Sequence, residues 1–306
     1  MRTASTLLSL SLVLLSLTSG SMYAAPLRVL YFSKSAGWEH SVVKRENGQP
    51  SFTENILTRL GRQHDIEFTY SKDGSLFNRS YLGKFDVIMF YTSGDLCATG
   101  VDGQPAMTQA GKQALLDAVA AGKGFVAVHS GCDTFHTAEK GGGNNPIPAS
   151  RFHNYGEETD PYIKMAGGEF LKHNQEQLGR LQVCDPQFPG MGKLGSRLEF
   201  KEEWYSLKEF ASDLHVLLVL ETTGMTGSDY QRPDFPLAWA RMHGSGRVWC
   251  NAMGHREDIW ESSAFQAMLL GGIKWAGQRQ SAELVANLKV LTPKADQLPK
   301  YVPGFQ

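Results

Sequence analysis

The chain has 306 residues, with 30 basic and 31 acidic side chains and a formal net charge of -1. Its apolar share of 42% is enough for a buried core, which excludes disorder as the main state. The balanced charge excludes the strongly basic surface typical of nucleic-acid binding, so we expect no nucleic-acid partner.

The N-terminal stretch has the layout of a secretory signal peptide. Arg2 supplies a positive charge, an apolar run covers residues 7–17, and small residues lead up to Pro26. The apolar run is shorter than the ~20 residues of a membrane-spanning helix. We therefore predict a signal peptide over residues 1–25, a periplasmic or secreted protein, and no stable membrane span; an uncleaved anchor is the alternative.

The cysteines do not identify a site by their spacing. Thiols tend to pair in the oxidising conditions that an exported chain meets. Four cysteines allow three pairings, and buried unpaired thiols are the alternative. The four are Cys97, Cys132, Cys184 and Cys250.

The first half of the chain alternates strand and helix patterns, which predicts a doubly wound α/β sheet with helices on both faces. The runs FDVIMFY at 85–91 and GFVAVH at 124–129 are apolar throughout, as is typical of central parallel strands. Ser51 and Glu54 form a predicted capping box for a helix that ends near residue 60. The other predicted elements here are strands at 27–33 and 66–70 and a helix at 108–121.

The second half is less regular. Strands are predicted at 214–221, 236–242 and 246–251 and a helix at 264–276, while 150–195 is mixed and turn-rich and GGGNNPIP at 141–148 indicates a loop. We therefore predict one sheet domain over residues 26–280 with an inserted loop-rich segment. Residues 281–306 form a polar C-terminal tail that we expect to be loose.

Histidines and carboxylates follow several predicted strands, at the edge where open parallel sheets bind ligands. His129 has Ala127 two residues before it and Gly131 two residues after it, the small neighbours of a sharp elbow that presents a reactive side chain. His255 follows Gly254, whose freedom allows a turn into a crevice. Histidine titrates near neutrality, so it can transfer protons or ligate metal. The alternatives are a strand-end histidine satisfied by backbone and a polar surface turn.

An acidic pair precedes two aromatic residues at 202–205, in the order Glu202, Glu203, Trp204, Tyr205. A carboxylate held beside aromatic rings can serve as an acid or a base. An exposed acidic edge is the alternative. Cys132 is a second elbow candidate, although a structural thiol or disulfide is the favoured interpretation.

No local spacing such as HExxH assigns a metal, and the cofactor stays unknown at this point. The histidines nevertheless suit a divalent metal such as zinc, which is one cofactor that the chain could hold.

Eight short pieces spread along the chain have a characteristic order. They are WEH at 38–40, FDV at 85–87, GKGFVAVHSG at 122–131, GGEFLKH at 167–173, EEWY at 202–205, PLAWAR at 236–241, GRVWCNAMGH at 246–255 and GGIKWA at 271–276. Each piece is weak alone, but in this order and over this length they resemble the ThuA-like family, named after a trehalose-utilisation protein.

The resemblance implies a flavodoxin-like sheet akin to class I glutamine amidotransferases. It also implies a role in handling sugars, often beside oxidoreductases that make 3-keto-sugars. The amidotransferase cysteine is absent from the elbow, where this chain has His129. The implied polar site consists of His40, His129, His173, Glu203 and His255.

We therefore predict an exported carbohydrate-active enzyme that acts on a sugar or 3-keto-sugar glycoside by His/Glu acid–base chemistry. A non-catalytic sugar-binding module, a thiol enzyme using Cys132 and a flavin carrier are the alternatives. The expected partner is a small saccharide or keto-saccharide, and a homo-oligomer stays open. The catalytic candidates are His129, Glu203, His255 and His40, and the substrate-binding candidates are Trp38, Asp133, His173, Trp204 and Tyr205, whose aromatic rings would stack on the sugar.

Overall fold

The computed structural model describes residues 25–137 and 149–302. Of the predicted signal peptide, only Ala25 falls within these ranges. The predicted loop at 141–148 lies outside them.

The regular elements follow the predicted alternation in the first half of the chain and add several short strands in the second half. The strands are β1 Leu27–Phe32, β2 Ile66–Ser71, β3 Val87–Phe90, β4 Gly124–Val128, β5 Glu169–His173, β6 Gln177–Val183, β7 Arg197–Glu202, β8 Tyr205–Lys208, β9 His215–Glu221, β10 Phe235–His243 and β11 Gly246–Asn251. The helices are α1 Phe52–His64, α2 Arg79–Leu82, α3 Gln109–Ala120, α4 Pro161–Ala166, α5 Glu257–Glu261, α6 Ser263–Ala276 and α7 Leu288–Leu291.

One nine-stranded sheet has the strand order β2-β1-β3-β4-β11-β10-β9-β6-β7. The pairs from β2 to β11 are parallel and the pairs from β11 to β7 are antiparallel, so only β10 and β6 run against the other strands. This is the predicted α/β fold with a mostly parallel sheet. A separate two-stranded antiparallel sheet pairs β5 with β8.

Helices cover both faces of the large sheet, which explains why its central strands are apolar on both sides. Trp249 and Cys250 are neighbours on β11 and therefore point to opposite faces. Trp249 packs so closely under α6 that a Cβ on Gly272 would lie 2.4 Å from its ring. The Cys250 thiol lies 3.3 Å from the carbonyl of Ala166 in α4, on the other face.

The capping box of α1 is present as predicted. The Ser51 hydroxyl accepts the backbone N–H of Glu54, and the Glu54 carboxylate accepts the backbone N–H of Ser51. These two bonds satisfy N–H groups that the first turn of a helix leaves without partners.

The turn-rich interpretation of residues 150–195 was incomplete, because this stretch contains α4, β5 and β6. α4 has recognisable end signals, with Asp160 capping its start and Gly167 in the left-handed conformation at its end. β6 alternates buried and exposed residues, with Leu178 on the exposed side, and this outward leucine hides the period of two.

The expectation of a loose C-terminal tail was wrong for its described residues. Asn287 binds the start of β9. Its backbone N–H donates to the carbonyl of Leu214, the residue before the strand, at 3.1 Å, and its side-chain oxygen accepts the N–H of Val216 at 2.7 Å. Leu288 and Ala295 are buried. The tail therefore completes hydrogen bonding along an edge of β9 that β6 does not cover, since β6 pairs only with residues 218–221 of that strand.

Among the described residues, no helix combines the length and apolarity needed to cross a membrane.

Candidate functional site

Four side chains that are far apart in sequence meet where the strands end. His40 lies in the loop after β1, His129 follows β4, Glu203 follows β7 and His255 lies in the loop after β11. One potential ligand atom from each lies within 4.8 Å of those from the other three. We call these four residues the His/Glu centre. The parallel strands bring three of the loops together, because the carboxyl ends of β1, β4 and β11 share one edge of the sheet.

His129 sits on the sharp elbow that the sequence predicts. Its φ of +47° is in the left-handed region, which is uncommon for a residue other than glycine. The turn requires a small residue at Gly131, since a Cβ there would lie 2.9 Å from the Cβ of Ala127. The backbone is therefore held in an unusual conformation that directs a fully buried imidazole into the centre.

The two nitrogens of His129 have different surroundings. Nδ1 lies 3.0 Å from the carbonyl oxygen of Ala252, and because a carbonyl can only accept, Nδ1 carries the proton. Burial lowers the pKa of His129, which favours the neutral ring. Nε2 then presents a lone pair, and it has no hydrogen-bond partner among the residues that the structure describes, although it lies 3.5 Å from Oε2 of Glu203.

Glu203 is surrounded by imidazoles. Its Oε2 lies 3.1 Å from Nδ1 of His255, and its Oε1 lies 3.3 Å from Nδ1 of His173. Burial alone would raise the pKa of Glu203, but its partners His129 and His255 hold that pKa well below its ordinary value. The pKa of His255 is raised, because its attraction to Glu203 outweighs the effect of burial. The carboxylate is therefore ionised across the physiological range.

His40 completes the centre and is also buried. Its ring lies 4.9 Å from the ring of His129 and 5.3 Å from the ring of His255, centroid to centroid. Burial and the neighbouring His129 lower the pKa of His40 well below its ordinary value. Within the described part of the chain Nδ1 of His40 has no hydrogen-bond partner, and Nε2 lies 3.4 Å from the hydroxyl of Tyr205.

The centre has the donor set of a divalent first-row metal. Zinc takes imidazole nitrogen and carboxylate oxygen at about 2.0–2.2 Å, so two ligands of a tetrahedral site lie ~3.4 Å apart. The Glu203 to His129 and Glu203 to His255 distances, 3.5 and 3.1 Å, are of that size. A lone pair on His129 facing an ionised carboxylate is unfavourable unless a cation lies between them. These residues fit a zinc-like ion.

Two other predicted residues, Tyr205 and His173, contact the centre, and Trp38 lies close to it in sequence. The Tyr205 ring packs 4.1 Å from the His129 ring, so this tyrosine forms part of the wall, although it is buried. The side chain of His173 is 43% exposed and contacts Glu203 from the solvent side. Trp38 is 66% exposed, two residues before His40.

Two predicted substrate contacts are not supported by the structure. The Trp204 side chain is completely buried under Gly179, and its Nε1 donates to the carbonyl of Gln177, so no face is open for stacking on a sugar. Asp133 is also buried, and its carboxylate lies 2.5 Å from Nε2 of His136. Both residues are part of the internal packing rather than of a surface that a substrate reaches.

The cysteines are not arranged for catalysis. All four lie within the described residues and each is a free thiol. Cys132 and Cys250 are buried, and burial together with the adjoining Cys132 thiol raises the pKa of Cys250 well above its ordinary value. A nucleophilic thiolate needs a partly exposed, electropositive site, whereas Cys132 is fully buried, so the thiol-enzyme alternative has no support here.

Two neighbours of the centre escaped the sequence analysis. The Tyr91 ring lies 5.6 Å from the ring of His40, and its hydroxyl donates to the carbonyl of Gly254 at 3.0 Å. Tyr91 is the last residue of the predicted strand at 85–91, and its position at the end of a strand could have predicted that it lies near the site. Glu176 lies 3.6 Å from Nε2 of His255, in a turn between β5 and β6 that no sequence motif marks.

A cavity of about 390 Å³ opens beside His255 and is lined also by Ser41, Glu176, Arg256 and acidic residues of α5. Its volume is within the range of small-ligand sites. A larger cavity of about 1170 Å³ lies near Leu27, Asp86 and Lys123, and none of the predicted site residues lines it.

The sheet and its strand-end site define an α/β protein of the flavodoxin-like class. The family model ThuA, described as trehalose utilisation, matches residues 28–276, and the chain belongs to this family. A search of curated proteins gave no match.

Solved structures show the same fold at low sequence identity. A ThuA-like protein from Bacteroides uniformis is 17% identical with a TM-score of 0.59, covering 84% of this chain and 94% of its own. A ThuA-like protein from Parabacteroides merdae is 16% identical with a TM-score of 0.57, covering 85% of this chain and 93% of its own.

Proposed function

We propose that this protein is an exported carbohydrate-active enzyme that acts on a sugar or 3-keto-sugar glycoside, assisted by a divalent metal such as zinc at the His/Glu centre. The family supports a carbohydrate-related role. The observation that carries the proposal is the convergence of two buried imidazoles, one half-buried imidazole and one ionised carboxylate. Nε2 of His129 and Nδ1 of His255 face Glu203 and have no hydrogen-bond partner among the described residues.

The side chains divide naturally into ligands and a proton acceptor. The low pKa of Glu203 makes this carboxylate a weak base and a good ligand. His173 is better placed to accept a proton, because its Nδ1 lies 3.1 Å from the carbonyl of Asn174, which leaves the lone pair on Nε2. The Glu203 carboxylate, 3.3 Å away, would stabilise the imidazolium that results.

A 3-keto-sugar glycoside suits this arrangement. The carbon next to the ketone carries an acidic proton, and a bound metal would polarise the ketone oxygen. Transfer of that proton to His173 allows the bond between the anomeric carbon and the leaving oxygen to break. The leaving oxygen takes up a proton and departs as an alcohol, so the step is an elimination. Hydrolysis or isomerisation through the same ligands would give a different product, which would distinguish either reaction from elimination.

The surroundings also suit a hydroxyl-rich ligand. The cavity beside His255 is lined by Ser41, Glu176 and Arg256, which offer both hydrogen-bond donors and acceptors. Trp38 presents an exposed indole near the same edge of the sheet. Export is supported by the N-terminal sequence, whose charge, apolar run and small residues are those of a signal peptide.

The test is elemental analysis of the purified mature protein, followed by incubation of zinc-loaded and metal-free protein with native and 3-keto disaccharides. We expect about one equivalent of metal per chain and product, detected by mass spectrometry, only from the loaded protein. His129→Asn should abolish both, since asparagine tolerates the left-handed backbone but lacks the imidazole. His243→Asn, at the far end of β10, is the matched control and should change neither.

Binding of a saccharide in calorimetry without any product would favour the non-catalytic sugar-binding module. Absence of both metal and saccharide binding would contradict the proposed function.

A further inference from the structure

The Glu202 side chain is fully buried at the end of β7 and joins two separate loops. Its Oε2 accepts the backbone N–H groups of Gly254, at 2.9 Å, and of His255, at 3.2 Å. Its Oε1 accepts the N–H of Glu203 at 2.9 Å. Among the described residues, these backbone groups are its hydrogen-bond donors, and no lysine or arginine pairs with it.

Burying a carboxylate without a cationic partner costs free energy, so we expect Glu202 to have a role that compensates for this cost. The Glu202 carboxylate is not easily replaced as the acceptor for the turn that it binds. Gly254 has a φ of +119°, and its carbonyl is already used by the Tyr91 hydroxyl and by Nε1 of Trp260. Without Glu202 two adjacent N–H groups of this turn would lose their acceptor.

The two loops that Glu202 joins carry half of the His/Glu centre. One begins with Glu203 and the other contains His255, whose side chains lie 3.1 Å apart. We propose that Glu202 is a positioning residue, which sets the distance between the Glu203 and His255 ligands by holding their backbones to one carboxylate. This inference rests on the proposed function, because the proposed function supplies the metal that the centre binds. Glu202 itself contacts only backbone, so it acts through its neighbours.

The experiment compares the zinc affinity of the wild-type chain with that of Glu202→Gln and Glu202→Ala, by titration against a competing chelator. Glutamine keeps the shape but turns an NH₂ group toward at least one of the N–H donors. We expect both variants to bind zinc 10–100-fold more weakly, the usual effect of losing a group that orients a metal ligand. In metal-free protein, hydrogen exchange of the Gly254 and His255 amides should become faster.

Two controls separate positioning from general destabilisation. Thr108→Ala removes the cap of α3, where the hydroxyl accepts the N–H of Gly111, and should lower the melting temperature without changing zinc affinity. The Ala252 amide, bonded to the carbonyl of Leu237, should keep its exchange rate in the Glu202 variants.

Unchanged zinc affinity in Glu202→Gln, or an equal loss in Thr108→Ala, would overturn the inference. A wild-type chain that binds no zinc would instead contradict the metal of the proposed function. In that case the hydrogen exchange of the Gly254 and His255 amides would test the role of Glu202 by itself. Unchanged exchange in the Glu202 variants would overturn the inference.

Discussion

Glu203 Oε2 lies 3.1 Å from His255 Nδ1, and this contact joins the loop after β7 to the loop after β11. Replacing Glu203 by glutamine keeps the size of the side chain and removes its charge. We expect Glu203→Gln to lower zinc affinity by more than tenfold, because a neutral amide is a poorer ligand and no longer attracts the cation. Chelator competition measures the change.

The matched control is Glu199→Gln, on β7 just before Glu203, with an exposed carboxylate that pairs with Arg180. It should leave zinc affinity unchanged. An equal loss in both variants would mean that overall charge, rather than the centre, governs zinc binding.

Trp38 is exposed on a loop whose backbone is firmly held. The Ser93 hydroxyl accepts the N–H of Trp38 at 3.0 Å and donates to its carbonyl at 2.6 Å, and Glu39 pairs with the buried Lys72 at 2.6 Å. Because the backbone of the loop is already fixed, little backbone entropy is lost when a sugar ring packs against the exposed indole. We expect Trp38→Ala to weaken saccharide binding by about tenfold, or ~1.4 kcal/mol, in calorimetry.

Tyr301→Ala is the control for this substitution, because Tyr301 is a partly exposed aromatic residue that packs against Phe152. It should not change saccharide affinity. If the Trp38 variant binds as tightly as wild type, the indole is not a sugar platform.

The sequence predicted the parallel half of the sheet and most of the centre for related reasons. Apolar strands such as those ending at Phe90 and Val128 leave a clear pattern, and the carboxyl ends of parallel strands must share an edge. His40, His129 and His255 follow from that rule without any coordinates. Glu203 belongs to the antiparallel half, where only the resemblance placed it in the site.

The errors have a common physical origin, since a side chain's direction depends on pairing that sequence does not reveal. Trp204 and Tyr205 are adjacent and equally aromatic, yet Trp204 points under Gly179 and Tyr205 points toward His129. Trp204 lies in the turn before β8 and Tyr205 is the first residue of that strand, so their side chains diverge and only Tyr205 reaches the site. The C-terminal tail was misjudged because its polar residues, such as Asn287, satisfy the backbone of a strand instead of solvent.

His136 lies in a buried ionic cluster outside the centre and should make stability depend on pH. Burial and the nearby Arg151 lower its pKa, but Asp133 and Glu169 outweigh them and raise it above the ordinary 6.5. A raised histidine pKa adds stability that is complete below the unfolded pKa and is lost as pH rises through the folded pKa. We expect the stability difference between wild type and His136→Gln to be larger near pH ~5 than near pH ~9, as measured by urea unfolding.

His243→Gln gives a control of opposite sign, because burial lowers the pKa of His243. Its difference from wild type should become smaller as pH falls, since the folded state resists protonation of that ring. A difference for His136→Gln that does not vary with pH would mean that the pKa of His136 is the same in the folded and unfolded states.

Asn287 anchors the C-terminal segment to β9, and its removal should destabilise the fold. Its side-chain oxygen accepts the N–H of Val216 at 2.7 Å, in a part of β9 that has no β6 residue opposite it. Asn287→Ala leaves that buried N–H without an acceptor, which costs about 1–3 kcal/mol. We expect the free energy of unfolding to fall by this amount in chemical denaturation. Val290→Ala, three residues on and 81% exposed, should change it little, and equal effects of the two substitutions would show that the segment does not depend on this bond.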